Sequence, residues 1–406
     1  MRIQTYIANF VYEIQGFFVK DIRFEKDEIF VSVSPRRKTA DCPFCKKRSS
    51  SIHQYLKERK ILHKLESHYK IFLIGRKRRF HCKHCSRVFT EDWPMLNKWS
   101  RKTIKAEEEI LASLRDHSFN HLEETWGITD GIARRILNRV ELEPSWEEES
   151  RQKQIRLGID EHSFRGRNFV ITVTNLSKHK VKTILPDDQQ ETLKRFLRKI
   201  PNNIKAKIGE VCIDMKAAFA EAVKETLIHS SLVVDHFHVI QDANRRLDET
   251  RRLEQEAFKK VIKKLPFMRG IERLNEKERS LLQFYFTKYP LLKDWHWWKE
   301  QLRALYKSKT REDAEIRLTN IIASFEEHDD SAMNDWGRTL RRWKEPILNY
   351  FKNKTTNAYT EGAHTKIKLT KRLSYGFKNV GTYIRKMLLA FIPIALIPFI
   401  NFHHTF

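Results

Sequence analysis

Four acids and one imidazole raise the chemical question in this chain. Asp160 ends the apolar run IRLGID (155–160), Asp214 ends IGEVCID (208–214) and Asp235 ends SLVVD (231–235), with His238 three positions on in VVDHFHV. Glu361 stands far downstream, in NAYTEGAHTKIKLTKRLSYGFKN (357–379). Carboxylates at the ends of neighbouring strands can share a hard divalent ion, Mg²⁺ or Mn²⁺, which takes carboxylate and phosphate oxygens and keeps waters. Two such ions about 3.5–4 Å apart activate an attacking water or 3′-hydroxyl and stabilise the leaving oxygen. Asp160, Asp214 and Glu361 are the candidate metal ligands and catalytic residues.

Each acid also has a plainer reading. A strand-end Asp is a favoured N-cap of the next helix. Glu361 in a first turn gains a few tenths of a kcal/mol from the helix dipole. Asp235 and His238 therefore have three open roles: support of the site from behind, a cap with a packed histidine, or direct ligation by Asp235.

A second cluster is made of sulfur. Cys42-Pro-Phe-Cys45 and Cys82-Lys-His-Cys85 are two C-x-x-C pairs separated by strand-like sequence. Two such knuckles can hold one Zn²⁺ in a closed, structural thiolate site. Cys42, Cys45, Cys82 and Cys85 are the expected ligands, with His81 and His84 near enough to replace one. The alternative is two unrelated pairs of free thiols. Cys212 lies in an apolar strand and is expected simply to be buried.

These groups need elements to position them. The order from residue 155 reads β-β-β-α-β-α-β, through RNFVITVTNL, KVKTILP, QQETLKRFLRKI, IGEVCID, MKAAFAEAVKETL and SLVVD. This is the ribonuclease-H-like order. The first strand lies centrally and the fourth runs beside it in parallel, so Asp160 and Asp214 meet at one sheet edge. Glu161 follows Asp160 and should face the other way, because side chains alternate along a strand. A helical stretch at 250–345, with Trp295, Trp297, Trp298, Trp336 and Trp343 among many cations, interrupts the pattern. Its tryptophans read first as core, and second as platforms for unpaired bases. The helix headed by Glu361 carries Lys366, Lys368, Lys371 and Arg372 for a nucleic-acid backbone.

Between the cysteines and the acids, SFNHLEETWGITDGIARRILNRV (118–140) has the pattern of a helix-turn-helix. One short helix ends at Gly127, Ile128 bridges, and a second starts near Thr129 and Asp130. Arg134, Arg135 and Arg139 would then face DNA. An ordinary antiparallel helix pair is the alternative.

The bulk composition agrees with a polyanion partner. The 406 residues hold 78 Lys+Arg against 52 Asp+Glu, a net charge of +26, and the cationic clusters are spread along the chain, which suits a long duplex. Hydrophobic residues make up 40%, enough for real cores. No signal peptide is visible at the N-terminus. The apolar tail LLAFIPIALIPFINF (388–402) is short of the about 20 residues a spanning helix needs and contains two prolines. It reads as a buried end piece, and the expected compartment is the cytoplasm, with no membrane partner.

Taken together, these motifs resemble the bacterial insertion-sequence DDE transposases of the ISL3 family. The resemblance rests on C-P-x-C…C-x-x-C, the helix-turn-helix, GIDEHSFRG, CIDM, VVDHFHV and TEGAHTKIKLTKRLSYGFKN, and covers nearly the whole length. It implies catalytic Asp160, Asp214 and Glu361, a helical insertion before the Glu, cleavage at transposon ends and joining of 3′-OH ends to target DNA. Asp235-x-x-His238 matches a signature several transposase families carry between the second Asp and the Glu.

The expected fold is thus multidomain α+β and α/β: a zinc ribbon (1–95), a helix-turn-helix (96–147), and a ribonuclease-H-like core (148–250 and 346–406) split by an all-α insertion (251–345). The expected partners are double-stranded DNA, as transposon ends and target, and a second copy of the chain, because synapsis joins two ends. Two other readings remain: a structure-specific nuclease of the same fold, and an inactive sequence-specific DNA-binding regulator.

Overall fold

The computed structural model describes residues 11–97, 100–142 and 144–392. They form two compact units, one containing the chain up to Leu142 and from Ile367 on, the other residues 143–366. The apolar tail beyond residue 392 lies outside the described residues. No helix among the described residues is long and apolar enough to cross a membrane.

Nine strands come first among the described residues of the first unit. β1 (Phe17–Glu25), β2 (Glu28–Pro35), β6 (Arg59–Glu66) and β7 (Tyr69–Gly75) form a four-stranded sheet in the order β1-β2-β7-β6. Alternating apolar residues of these strands, Val31, Val33, Ile71 and Leu73 among them, pack with Trp93. The short strands β3 (Ala40–Asp41) and β4 (Arg48–Ser49) pair around the first cysteine knuckle. β5 (Ile52–Tyr55), β8 (Arg78–His81) and β9 (Val88–Thr90) pair around the second.

Three helices follow. α1 (Ile104–Asp116) is capped by the Thr103 hydroxyl, which accepts from Ala106 N–H. α2 (Phe119–Trp126) starts on a Ser118 cap and ends at Gly127, whose φ of 61° needs the left-handed freedom of glycine. α3 (Asp130–Asn138) follows directly. The two short helices and the glycine turn expected at 119, 127 and 130 are thus present. Leu122, Ile128 and Ile136 are buried beneath the turn. A later helix, Val380–Leu389, closes this unit. Its Arg385 donates to the Leu137 and Asn138 carbonyls (2.9 and 3.0 Å), satisfying free acceptors at the end of α3.

The second unit is built on a five-stranded sheet. Its strands are β10 (Ile155–Arg165), β11 (Asn168–Asn175), β12 (Lys180–Leu185), β13 (Ile208–Ile213) and β14 (Ser231–Val234), in the order β12-β11-β10-β13-β14. β10 pairs antiparallel with β11 and parallel with β13, and β13 pairs parallel with β14. The helices α4 (Gln190–Lys199) and α5 (Ala217–Thr226) bury Leu193, Leu197, Phe219 and Val223 in the sheet's apolar core. α6 (His236–Phe258) leaves the end of β14.

One strand end differs from expectation. β10 does not stop at Asp160; it continues to Arg165, because its far half forms a hairpin with β11 through Gly166 (φ 55°). Only the parallel pairing to β13 stops early, at Gly158 opposite Cys212. Asp160 therefore still sits just beyond that parallel edge.

The expected helical stretch is present as α7 (Glu276–Lys288), α8 (Pro290–Leu305), α9 (Arg311–Glu326), α10 (Ser331–Arg342) and α11 (Lys344–Asn353). Trp295 and Trp336 stack at 5.4 Å, Phe325 stacks on Trp336, and all three are buried in the same apolar core as the sheet. Trp343 is also buried, whereas Trp297 is half exposed and edge-on to Trp298. α12 (Ala358–Leu373) carries Glu361 in its first turn, and the helix Val380–Leu389 becomes α13.

Candidate active site and zinc centre

The sulfur cluster is assembled by two matching knuckles. Cys42 N–H donates to Lys47 O and Lys46 N–H to Cys42 O; Cys82 N–H donates to Arg87 O and Ser86 N–H to Cys82 O. Lys46 and Ser86 both take the left-handed conformation that closes each turn (φ 60° and 57°). The four sulfurs lie within one 4.8 Å set, with Sγ–Sγ separations of 3.7 Å (Cys42–Cys85) and 3.5 Å (Cys45–Cys82). A tetrahedral Zn–S bond of about 2.3 Å implies an edge of about 3.8 Å, so the set fits one Zn²⁺. Neither His81 nor His84 belongs to it. Backbone N–H groups of Cys85 and His84 help draw the Cys82 thiol down to about 7, while at Cys85, against the Arg87 N–H, burial and the facing thiols push the thiol up; a bound cation would favour the thiolate in the whole set. Phe80 and Phe89 pack behind the sulfurs. This small core needs the staple. Cys82→Ser is expected to abolish retention of one zinc per chain, read by metal analysis. Zinc removal should expose residues 38–90 to protease while the second unit resists.

The acids lie at the carboxyl edge of three neighbouring parallel strands, where open α/β sheets place their ligands. Gly158 is opposite Cys212 and Ile213 opposite Val234, so Asp160, Asp214 and Asp235 follow at the same edge. Their surroundings differ. Asp160 is buried; its Oδ1 accepts from Glu161 N–H (2.8 Å) and its Oδ2 lies 3.5 Å from His364 Nδ1. Burial pushes its carboxyl up to about 7, aided by the charges of Asp214 and Glu361 and opposed by His238. Burial also raises Asp214, with His238 opposing. Glu361 is raised by burial and then by Asp235. Glu161 is diverted, as alternation requires: its carboxylate pairs with Lys216, which also holds Asp188 at 2.8 Å.

Asp235 is a brace. Its Oδ1 accepts from Phe237 N–H (3.0 Å), capping α6, and lies 3.1 Å from His236 Nδ1. Its Oδ2 accepts from Asn357 N–H (2.7 Å). Burial alone would raise this carboxyl, yet these donors hold it below the usual range.

Asn357 extends the brace. Its side-chain amide donates to the carbonyls of Ile159 and Cys212 (3.3 Å each), the residues one and two positions before Asp160 and Asp214. Its own carbonyl accepts from Glu361 N–H (2.9 Å), opening α12. Thr360 Oγ1 meets Thr174 Oγ1 at 2.7 Å. Glu210 accepts from Asn353 (2.5 Å) and from the Thr355 hydroxyl. The segment before α12 is thereby tied to β10, β13 and β14 together. Gly158 permits this approach: a Cβ there would stand 2.5–2.6 Å from Asn357 Oδ1, Thr174 Oγ1 and Thr360 Oγ1.

Among the described residues, Asp214 Oδ1, Glu361 Oε1 and His238 Nε2 are buried without a hydrogen-bond partner. One ligand atom from each of Asp235, His238 and Glu361 lies within a 4.8 Å set, from which Asp160 and Asp214 are absent. Buried acceptors without partners are what a cation satisfies, and the charges of Asp214 and Glu361 add to the burial that raises Asp160, so these residues fit a hard divalent ion.

The cations divide. Arg134 pairs with Asp130 (2.6 Å) and lies over Phe119. Arg139 pairs with buried Glu107 and Arg135 is exposed. Lys366, Lys368 and Arg372 are exposed on α12, and Lys371 is partly buried.

Sequence reasoning missed His162, Thr172, His364 and Gly158. Thr172 Oγ1 lies 3.1 Å from His162 Nδ1 and 3.0 Å from His364 Nε2, and the two imidazoles are 4.5 Å apart. The signals were present: His162 is two positions after Asp160 on a strand, and His364 is three after Glu361 on a helix.

An acidic edge on a five-stranded sheet and a four-cysteine module fit a nucleic-acid enzyme, and the comparisons agree. A family model described as "Transposase", of the ISL3 DDE type, matches residues 157–387, more than half of the chain. A second, the "zinc-finger of transposase IS204/IS1001/IS1096/IS1165", matches residues 38–85. The chain belongs to the ISL3 family of insertion-sequence transposases and is a DNA transposase. It is 21% identical over 394 residues to the transposase for insertion sequence element IS1001 of Bordetella parapertussis, covering 93% of this chain and 96% of that one.

Proposed function

We propose that this transposase cleaves transposon ends and joins their 3′-OH groups to target DNA with Asp160, Asp214 and Glu361 as the catalytic acids. The observation that carries this reading is the tie between strand edge and helix: Asn357 is bonded to the residues preceding both aspartates and opens the helix bearing Glu361. The sheet order, with β10 central and β13 parallel to it, supports a ribonuclease-H-like core, with residues 148–250 and 346–406 as its parts and 251–345 as an insertion into it. Residues 1–95 are read as the zinc-ribbon module and 96–147 as a helix-turn-helix.

Bound at these acids, Mg²⁺ or Mn²⁺ ions would activate the attacking oxygen and stabilise the leaving one. The chain's own work is positional. Asp160, Asp214 and Glu361 supply the anionic cradle. Asp235 and Asn357 fix the helix of Glu361 against the strands. Lys216 removes the Glu161 and Asp188 charges from the cradle. Exposed Lys366, Lys368 and Arg372, with Lys371, supply positive charge toward a phosphate backbone. In the helix-turn-helix, exposed Arg135 is the best-placed base or phosphate contact; Arg134 and Arg139 need to leave Asp130 and Glu107 to join it. Recognition of two ends by a dimer or larger assembly completes the reading.

The deciding assay incubates the full chain with Mg²⁺, a labelled terminal-repeat duplex and a plasmid target. End cleavage followed by joined products is expected. Cleavage without joining would identify a nuclease, and end binding with neither product a DNA-binding regulator.

A further inference from the structure

His238 stands out once Asp235 is accounted for. Both Asp235 oxygens already accept backbone N–H bonds, from Phe237 and Asn357. Of the tight Asp235, His238 and Glu361 set, this leaves Glu361 Oε1 and His238 Nε2 buried with no partner among the described residues. The other imidazole nitrogen has one: His238 Nδ1 lies 3.2 Å from Gln241 Oε1. An amide oxygen only accepts, so Nδ1 carries a hydrogen and, in the neutral ring, Nε2 presents a lone pair. That arrangement, one ring nitrogen fixed by an outer acceptor and the other left open in a group of anions, is how a metal-binding histidine is oriented. Facing carboxylates, Nε2 is satisfied either by a proton of its own or by a cation held between it and the acids.

We propose that His238 Nε2 is a direct ligand of the divalent ion held at the acidic edge, beside Glu361. This rests on the reading of Asp160, Asp214 and Glu361 as the cation-binding acids. Asp235 then serves as the brace that caps α6 and presents His238 one turn along. The site is a mixed oxygen and nitrogen set, and imidazole nitrogen favours Mn²⁺ over Mg²⁺ more than carboxylate oxygen does.

The test is pulsed electron paramagnetic resonance of Mn²⁺ bound to the zinc-loaded full chain. The signal that Glu361→Gln removes defines the site. That signal is expected to show modulation from a directly coordinated ¹⁴N, which changes when histidine is ¹⁵N-labelled. His238→Gln should abolish the modulation, and His364→Gln should keep it. In titrations, His238→Gln should weaken Mn²⁺ about tenfold while Mg²⁺ affinity changes by less than about threefold. Wild type that binds Mn²⁺ through Glu361 without ¹⁴N coupling overturns the proposal and leaves the acidic site standing. Coupling that survives His238→Gln also overturns it. If Glu361→Gln and Asp214→Asn remove no bound Mn²⁺, the underlying reading fails instead.

Discussion

Asp214→Asn and Glu361→Gln are each expected to lower end cleavage and strand transfer on the order of 10³-fold, about 4 kcal/mol of transition-state stabilisation, with binding to the transposon end kept within about twofold. Both changes preserve shape and remove a charge that the site holds at a cost. Burial raises the proton affinity of each carboxyl, and among the described residues Asp214 Oδ1 and Glu361 Oε1 have no partner to compensate. Such a cost persists where a bound cation offsets it. Asp235→Asn makes the contrast. It leaves a donor where an acceptor faces a backbone N–H, at about 1–3 kcal/mol, and should lower activity some ten- to hundredfold without abolishing it. Gel assays of nicked and joined products separate the two classes. Full activity in Glu361→Gln would remove the assignment of the third acid.

Gly158→Ala is the second large effect. The residue touches no substrate, and the new methyl is chemically inert. Yet its Cβ would meet three side-chain oxygens at 2.5–2.6 Å, all of them where α12 crosses β10. Forcing atoms apart in a filled interior costs about 1–3 kcal/mol. The larger consequence is geometric: a shift of about 1 Å in a catalytic group can cost on the order of 10²-fold in rate. Activity should therefore fall far more than the few degrees expected in Tm. Asn357→Ala should resemble it, because the Ile159 and Cys212 carbonyls lose their shared donor. Equal losses of rate and stability in Gly158→Ala would show the helix placement to be incidental.

Much of this was legible in the sequence because the signals are local. Two C-x-x-C pairs, a glycine between two short apolar helices, and apolar runs ending on acids each declare themselves within a few residues. The end of β10 was misplaced because an acid after an apolar run reads as a strand terminus, whereas the hairpin with β11 carries the strand on to Arg165. The brace was not legible for a different reason. Asp235 and Asn357 are 122 positions apart, and Asn357 and Ile159 are 198. No periodicity links residues at that distance. The role of Gly158 depends on which helix crosses its strand, and that is settled only by the complete fold. Arg139 shows the reverse case: helical spacing points it outward, and a buried carboxylate, Glu107, draws it in.

The long reach of the brace also sets the order in which the enzyme becomes competent. The chain is made from its N-terminus, and contacts between distant segments are the slowest to form. The zinc module, the turn after Gly127 and both aspartates all emerge before Asn357. A nascent chain that stops there lacks both the helix that closes the proposed site and α13, whose Arg385 bonds the end of α3. On the proposed assignment of the acids, cleavage is deferred until most of the chain has been synthesised and the last long-range tie has been made.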